Sequence, residues 1–346
     1  MKKKLRKAAG RLRERLRVRL RKGNALERSI YFTLWSDAYR RERLVVARGN
    51  QEYWRRLEDG KLEFLLRRNI HMAEKGLTMR PRRETFAVAY IEETVTLAGR
   101  LTQAMPPIIS AEVELWAREV LERYFEATAS SSDPTIARAR ENFGRISWNI
   151  ERDNVSGPHA PFVDAPPVEI EALTALAKRR KSVRWFEQRP VPHEVVDKAM
   201  LVAAEAPTAC NRQPFSFRFF DDPEQVAKVA KVPMGTAGYG QNLPGIAVIV
   251  GDMSAFIDER DRHLIYTDGC LAAMSFILGL ESQGVASVCI NWPDIASRDE
   301  KMSRLLGLQS HERVVMLVGY GYADEQGTTP YSAKRHLDAL RSYNSL

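Results

Sequence analysis

The sequence predicts an α+β protein in which a layered α/β half follows an all-α N-terminal region. Three observations carry that expectation. Through residues 25–165 apolar side chains recur at three- and four-residue steps, with no period-two run of β-branched residues. From Val168 onward, helical stretches alternate with short apolar runs bounded by glycine, as buried strands are. Between the two, Gly144 to Pro167 is loop-like, carrying Gly157-Pro158, Pro161 and Pro166-Pro167. The expected organisation is a basic tail over 1–24, a helical region over 25–165 with a linker from about 144, and a second domain over 166–346.

Taken in order, the first segment holds most of the charge. Residues 1–22 contain twelve Lys or Arg against one acid, Glu14, while the other 324 residues hold 41 bases and 43 acids. The formal net charge of +9 therefore describes a tail and not the body. Leu5, Leu12, Leu16 and Leu20 fall along one helical face there. A basic helix with an apolar stripe lies on an anionic membrane surface, meets a polyanion, or is a solvated tail; the sequence leaves all three open. No sequence-specific nucleic-acid recognition is expected.

In the helical region the pattern runs through Leu34, Ala38 and Leu44-Val45, then Trp54, Leu57, Leu62, Leu65 and Leu66. It resumes at Phe86, Tyr90, Thr94 and Leu97, and again from Glu112 to Phe125. Gly49-Asn50, Glu58-Asp59-Gly60, Lys75-Gly76, Pro106-Pro107 and Ser130 to Pro134 read as breakers. Trp35, Trp54, Trp116 and Trp148 read as core anchors.

In the second half, a helix through Ile170, Leu173 and Leu176 runs into Arg179-Arg180-Lys181-Ser182, and Pro190 and Pro192 open another through Val195 to Ala203. Phe215, Phe217 and Phe219 alternate as a half-buried strand does. Ile246–Val250, Val285–Ile290 and Val314–Val318 read as strands, and Asp268–Gln283 as an apolar helix stopped at Gly284.

Composition bounds the function. With 44% hydrophobic and 28% charged residues, the 346-residue chain can bury a sizeable core. No stretch approaches the ~20 uninterrupted apolar residues of a membrane span, and the N-terminus lacks the apolar stretch of a secretory leader. The three cysteines form no CxxC; Cys210 reads as a small packed residue, Cys270 and Cys289 as core, and their number and spacing point to a reducing, cytoplasmic setting, with peripheral residence at a membrane's inner surface left open by the basic tail. The six histidines show no zinc spacing, so no metal site is expected; His193, His263, His311 and His336 read as surface or helix-end residues.

Two clusters bear chemistry. Arg180-Lys181-Ser182-Val183-Arg184 puts three cations and a hydroxyl just past a helix, suited to a phosphate or an anionic ring edge, although basic residues there also complement the helix dipole. Ala206-Pro207-Thr208-Ala209-Cys210-Asn211-Arg212-Gln213-Pro214-Phe215 joins small residues, which let backbone approach a flat ligand, to two amides.

The order of these two motifs resembles that of the nitroreductase family of FMN-dependent oxidoreductases. Gly319-Tyr320-Gly321, then Lys334-Arg335 before an expected last helix, resembles that family's ending. The resemblance covers about residues 168–346 and implies a nitroreductase-like mixed β-sheet flanked by helices. It implies FMN as cofactor and NAD(P)H as electron donor. Arg180, Lys181, Ser182, Arg184, Lys334 and Arg335 would serve the phosphate and the pyrimidine edge. Pro207, Thr208, Ala209, Asn211 and Gln213 would reach FMN from the other subunit of a homodimer, placing the flavin at the interface. Asn291-Trp292 would lie near flavin N5, where some relatives carry Glu-Gly.

No separate catalytic acid or base is assigned, since N5 exchanges the hydride itself. Gly235 to Asn242 precedes a strand where a dinucleotide fingerprint must follow one, so it reads either as a loop over the flavin, with Tyr239 near a small-molecule substrate, or as a surface loop. Three functions stay open: an NAD(P)H-driven ping-pong oxidoreductase, a non-catalytic flavin-fold dimer recruiting a partner or membrane, and a relative that consumes its own flavin.

Overall fold

The structure is a computed structural model that describes residues 14–151, 158 and 166–344. Leu5, Leu12 and Lys2, Lys3, Lys4 and Lys7 of the basic tail, and Gly157 and Pro161 of the expected linker, lie outside the described residues.

Helices α1 (14–22), α2 (Ala25–Trp35), α3 (Asp37–Glu58), α4 (Glu63–Leu77), α5 (Ile91–Thr102), α6 (Ala111–Ala127) and α7 (Pro134–Phe143) build the first half. Their starts are written in the sequence. Asn24 and Glu27 form a reciprocal capping box, Ser36 and Ser110 cap α3 and α6, and Asp133 caps α7 with Pro134 in its first turn. Four of these helices enclose an apolar core in which Leu66, Ile70, Leu101, Leu121, Tyr124 and Ile136 are fully buried. The Tyr124 hydroxyl donates to the Phe86 carbonyl at 2.8 Å, which satisfies the one polar atom that ring brings inside.

Two expectations fail here. Helix α3 runs unbroken through Gly49-Asn50. A Cβ on Gly49 would lie 2.7 Å from the Met253 side chain, so this glycine serves close helix approach, not termination. Trp54 is 46% exposed and is not a core anchor, because the neighbouring Tyr53 takes the inward position about a hundred degrees round the helix. Trp116 and Trp148 do pack against the core, and Trp35 is half-buried.

In the second half, β1 (Phe215–Phe220), β2 (Gly245–Asp252), β3 (Ala286–Ile290) and β4 (Glu312–Gly321) form a sheet of order β1-β2-β4-β3. All three strand pairs are antiparallel; the one parallel pairing among the described residues is the isolated bridge Ser182–Ser287. Helices α8 (Ile170–Arg179), α9 (His193–Ala204), α10 (Pro223–Ala230), α11 (Leu264–Glu281) and α12 (Ala296–Leu306) surround it. Strand β2 is buried on both faces: Ala247 and Ile249 pack with α9 and α11, whereas Ile246 and Val248 pack with α10 and α12. That double burial explains its unbroken apolar run. Phe217 and Phe219 of β1 meet Phe276 of α11 at centroid distances of 5.4 and 5.6 Å.

Helix α11 lies so close to α9 that a Cβ on Gly279 would stand 2.9 Å from the Ala199 Cα. It forms part of Glu259–Glu281, long and apolar enough by composition to cross a membrane, with half of that apolar stretch buried inside the fold. Because α11 is apolar on every side, sequence could not tell its outer face. Cys270, Leu271 and Met274 occupy that face and are exposed, and Cys289 alternates outward from Val288 and Ile290 on β3. Cys270 and Cys289 are therefore not core. The expected last helix is reduced to a single 3₁₀ turn, Leu337–Ala339, on a segment exposed throughout 325–344.

The halves meet where α3 crosses the second half. Val45 packs with Met253, Phe256 and Ile265. Arg56 reaches Asp252 at 3.3 Å and His311 Nε2 at 3.3 Å. His311 is thus 6% exposed and not at the surface, because α3 covers it.

Candidate functional site

Helix α8 ends at Arg179, and Arg180 turns the chain into extended backbone (φ −56°, ψ 116°). That turn lays Ser182 beside Ser287 on β3, and the Val183 N–H donates to the Ser287 carbonyl at 3.0 Å. The segment is thereby fixed on the sheet edge with its side chains facing a cavity of about 490 Å³. Arg180, Lys181, Ser182, Arg184 and Lys334 line it together, with Lys178, Tyr331 and the α8 residues Ile170 and Leu173. Five cations and no carboxylate stand on its wall. Like charges repel when left alone, so this arrangement is suited to an anionic ligand, and its size falls in the range of small-molecule sites. Arg335 is exposed and does not line the cavity.

Arg184 is positioned twice over. Its Nη1 donates to the Ser182 carbonyl at 3.2 Å, and its guanidinium sits 5.5 Å from the Tyr239 ring centroid. Tyr239 is only 9% exposed and packs in the apolar core under the sheet, while Gly235, Ala237, Gly238 and Gln241 of the same loop are exposed. Burial pushes the Tyr239 phenol up, with Arg184 pulling it down. Asn242 Nδ2 donates to the Arg184 carbonyl at 2.9 Å and completes the support.

The small-residue loop is elsewhere in the same chain, against α4 and α11. Three of its non-glycine residues have left-handed backbone: Cys210 (φ 55°), Asn211 (φ 51°) and Gln213 (φ 52°). Such conformations persist where surroundings over-determine them. Here the Ala209 N–H donates to Asp268 Oδ2 at 3.1 Å, the Gln213 N–H to Thr208 Oγ1 at 3.2 Å, and Gln213 Nε2 to Asn211 Oδ1 at 2.9 Å. Arg67 Nε donates to the Asn211 carbonyl at 2.9 Å. Burial pushes the Asp268 carboxyl up, opposed by the Ala209 N–H. Pro207 is exposed, and Thr208 and Ala209 are half-buried.

Asn291 is exposed just after β3, and Trp292 Nε1 donates to Asp299 Oδ1 at 3.3 Å. The next acid, Asp294, is held by Arg41 from α3 and by Arg313 from β4, the latter at 3.1 Å. Arg313 also pairs with Asp299. Burial works against the charge on Arg313, but Asp299, Tyr266 and Asp294 outweigh it and hold the guanidinium above its usual range. Sequence reading missed Arg41, Arg67, Asp294, Asp299 and Arg313. Arg41 and Asp294 are 253 positions apart, a separation at which no local pattern operates.

Within one chain, then, the structure gathers Arg180, Lys181, Ser182, Arg184 and Lys334, and leaves Pro207 to Gln213 outside that cavity. Among the described residues no group of three or more His, Cys, Asp or Glu is placed to hold a metal ion.

Residues 177–237 and 238–322 match the sequence profile of the Nitroreductase family. Human iodotyrosine deiodinase 1 is 23% identical over 268 residues, a match spanning 68% of this chain and 87% of that protein. That share is more than residues 166–346 can hold, so this similarity reaches into the helical N-terminal region. A putative NADH dehydrogenase/NAD(P)H nitroreductase of Methanothermobacter thermautotrophicus is 26% identical over 186 residues, covering 53% of this chain and 92% of that one. Among solved structures, an FMN-dependent nitroreductase from Clostridium difficile aligns with a TM-score of 0.42 at 22% identity, over 50% of this chain and 99% of that one. Residues 177–322 are thus the stretch in which the chain resembles the nitroreductase family.

Proposed function

We propose that the protein is an FMN-dependent oxidoreductase that takes a hydride from NAD(P)H and delivers it to a small organic acceptor by a ping-pong sequence. The observation that carries this reading is the wall of five cations around a cavity of about 490 Å³, in a family fold. When bound, FMN would supply the redox chemistry, its N5 accepting the hydride and passing it on. The chain's own residues bind and orient. Arg180, Lys181, Ser182 and Lys334 hold the phosphate by charge-assisted hydrogen bonds. Arg184, kept in place by Tyr239 and Ser182, would favour the negative charge that a bound flavin gains on reduction.

Pro207, Thr208, Ala209, Asn211 and Gln213 lie outside that cavity in their own chain, which supports their use by a second copy in a homodimer with FMN at the interface. Asn291 and Trp292 would then border N5 and the acceptor. Cytoplasmic residence and docking of the basic tail on an anionic surface belong to the same proposal.

A second reading concerns the acceptor. The similarity to iodotyrosine deiodinase 1 extends beyond the flavin domain, which favours reductive removal of iodine from an iodotyrosine: two electrons and a proton enter, and iodide leaves. Purified protein supplied with FMN and either nucleotide is assayed in parallel on a nitroaromatic and on an iodotyrosine. Nucleotide oxidation with either acceptor supports the proposal, and iodide release selects the second reading. Bound flavin with no nucleotide oxidation would leave the non-catalytic flavin-fold dimer; irreversible loss of flavin absorbance would mark a flavin-consuming enzyme.

A further inference from the structure

Two of the contacts that the helical N-terminal region makes with the second half fall on the two loops expected at the flavin. Arg67 of α4, 8% exposed, reaches the Asn211 carbonyl at 2.9 Å, in the middle of the strained segment of residues 210–213. Arg41 of α3 reaches both the carboxylate and, at 3.0 Å, the main-chain carbonyl of Asp294. A guanidinium holding a backbone oxygen fixes where the chain runs, because it presents rigid donors in one plane. Asp294 is two residues from Trp292, and Arg313 and Asp299 tie both residues to the sheet.

We propose that the N-terminal helices act as a brace, with Arg67 a positioning residue for the loop 207–213 and Arg41 a positioning residue for the loop 291–295. The functional half of this inference rests on the flavin reading above. Neither side chain enters the cationic cavity, so neither contacts the phosphate. Arg67 instead offsets the tendency of Cys210, Asn211 and Gln213 to leave their left-handed backbone, and keeps the two amides presented. Arg41 fixes the course of the chain at Asp294 and so the placement of Trp292, which would border the flavin ring if FMN is bound. A mere staple between the halves would loosen the whole chain evenly when cut. A brace loosens each loop separately.

The experiment compares the full chain with Arg67→Met and Arg41→Gln by hydrogen–deuterium exchange, first without added flavin. Arg67→Met should speed exchange about tenfold in 207–214 and leave 291–296 unchanged, and Arg41→Gln should do the reverse. Loops that exchange at wild-type rates in both variants, or a uniform loosening in either, would overturn the brace. The same proteins are then loaded with FMN. Arg41→Gln should lower kcat about tenfold with FMN affinity and nucleotide KM within about twofold, and Arg41→Lys should recover part of the loss. Arg67→Met should weaken FMN binding about tenfold. Unchanged kinetics and affinity in both variants would refute the functional half. Should the wild-type chain take up no FMN, the flavin reading fails by itself, and the crossed exchange pattern still decides the brace.

Discussion

Removing two cations from the cavity wall, Arg180→Ala with Lys334→Ala, tests the phosphate assignment. Each lines the cavity, Arg180 half-buried and Lys334 exposed. A hydrogen bond to a charged group contributes about 1.5–3 kcal/mol where it is shielded, and an exposed pair considerably less. Arg180 is thus assigned roughly 2–3 kcal/mol and Lys334 roughly 0.5–1 kcal/mol. Their joint removal weakens FMN binding by roughly 50- to 1000-fold. Titration of FMN followed by quenching of its fluorescence reads this directly, and wild-type affinity should fall with added salt because the wall is cationic. Arg335→Ala serves as the comparison: it lies outside the cavity, so its affinity should stay within about threefold of wild type. A double variant that also stays within about threefold would refute the reasoning, whatever the protein's colour.

Three further predictions address the scaffold. Gly279→Ala ought to gain about 1 kcal/mol from helix propensity, yet the new Cβ would stand 2.9 Å from the Ala199 Cα, so a net loss of about 1–3 kcal/mol is expected in urea unfolding; a stabilised variant would contradict the α9–α11 contact. The hydrogen bond from Arg55, aided by Arg56, outweighs burial and holds the Glu52 carboxyl down from 4.5 to about 2. Its folded pKa is depressed, so the linked stability is present above pH 4.5 and lost as pH falls toward about 2; Glu52→Gln should flatten the urea midpoint across that window, and an unchanged slope would count against it. Tyr124→Phe removes the donor to the carbonyl of half-buried Phe86 and should cost about 1 kcal/mol, whereas a neutral result would mean that bond is not formed.

Much of this architecture could be read along the chain because its causes are local. Glu58-Asp59-Gly60 and Ser130 to Pro134 mark helix boundaries because turn chemistry is set by neighbouring residues. The alternating Phe215, Phe217 and Phe219 and the apolar run of β2 report one-sided and two-sided burial. What local pattern cannot report is which of two apolar faces ends outside. Cys270 and Cys289 went wrong for that reason, as did Trp54 beside Tyr53. Gly49 went wrong because a helix-breaking residue and a close-approach residue look alike until Met253 arrives from across the fold.

The site divides the same way. Arg180 to Arg184 form a contiguous basic cluster that is visible in the sequence, and the resemblance adds Lys334 some 150 residues later. Their meeting in one cavity accords with that reading. Arg41 and Arg67 were invisible, since each does its work on a carbonyl far away in sequence. A lone arginine on an amphipathic helix carries no mark that separates a solvated charge from one that grips a distant loop.

The proposed function requires that this chain hold a flavin that a reduced nicotinamide can reduce. The visible spectrum of the purified protein, reconstituted with FMN and followed anaerobically before and after NADH or NADPH, tests it most directly. The expected result is a yellow protein whose band near ~450 nm bleaches with at least one of the two nucleotides. A colourless protein that takes up no added FMN would contradict it.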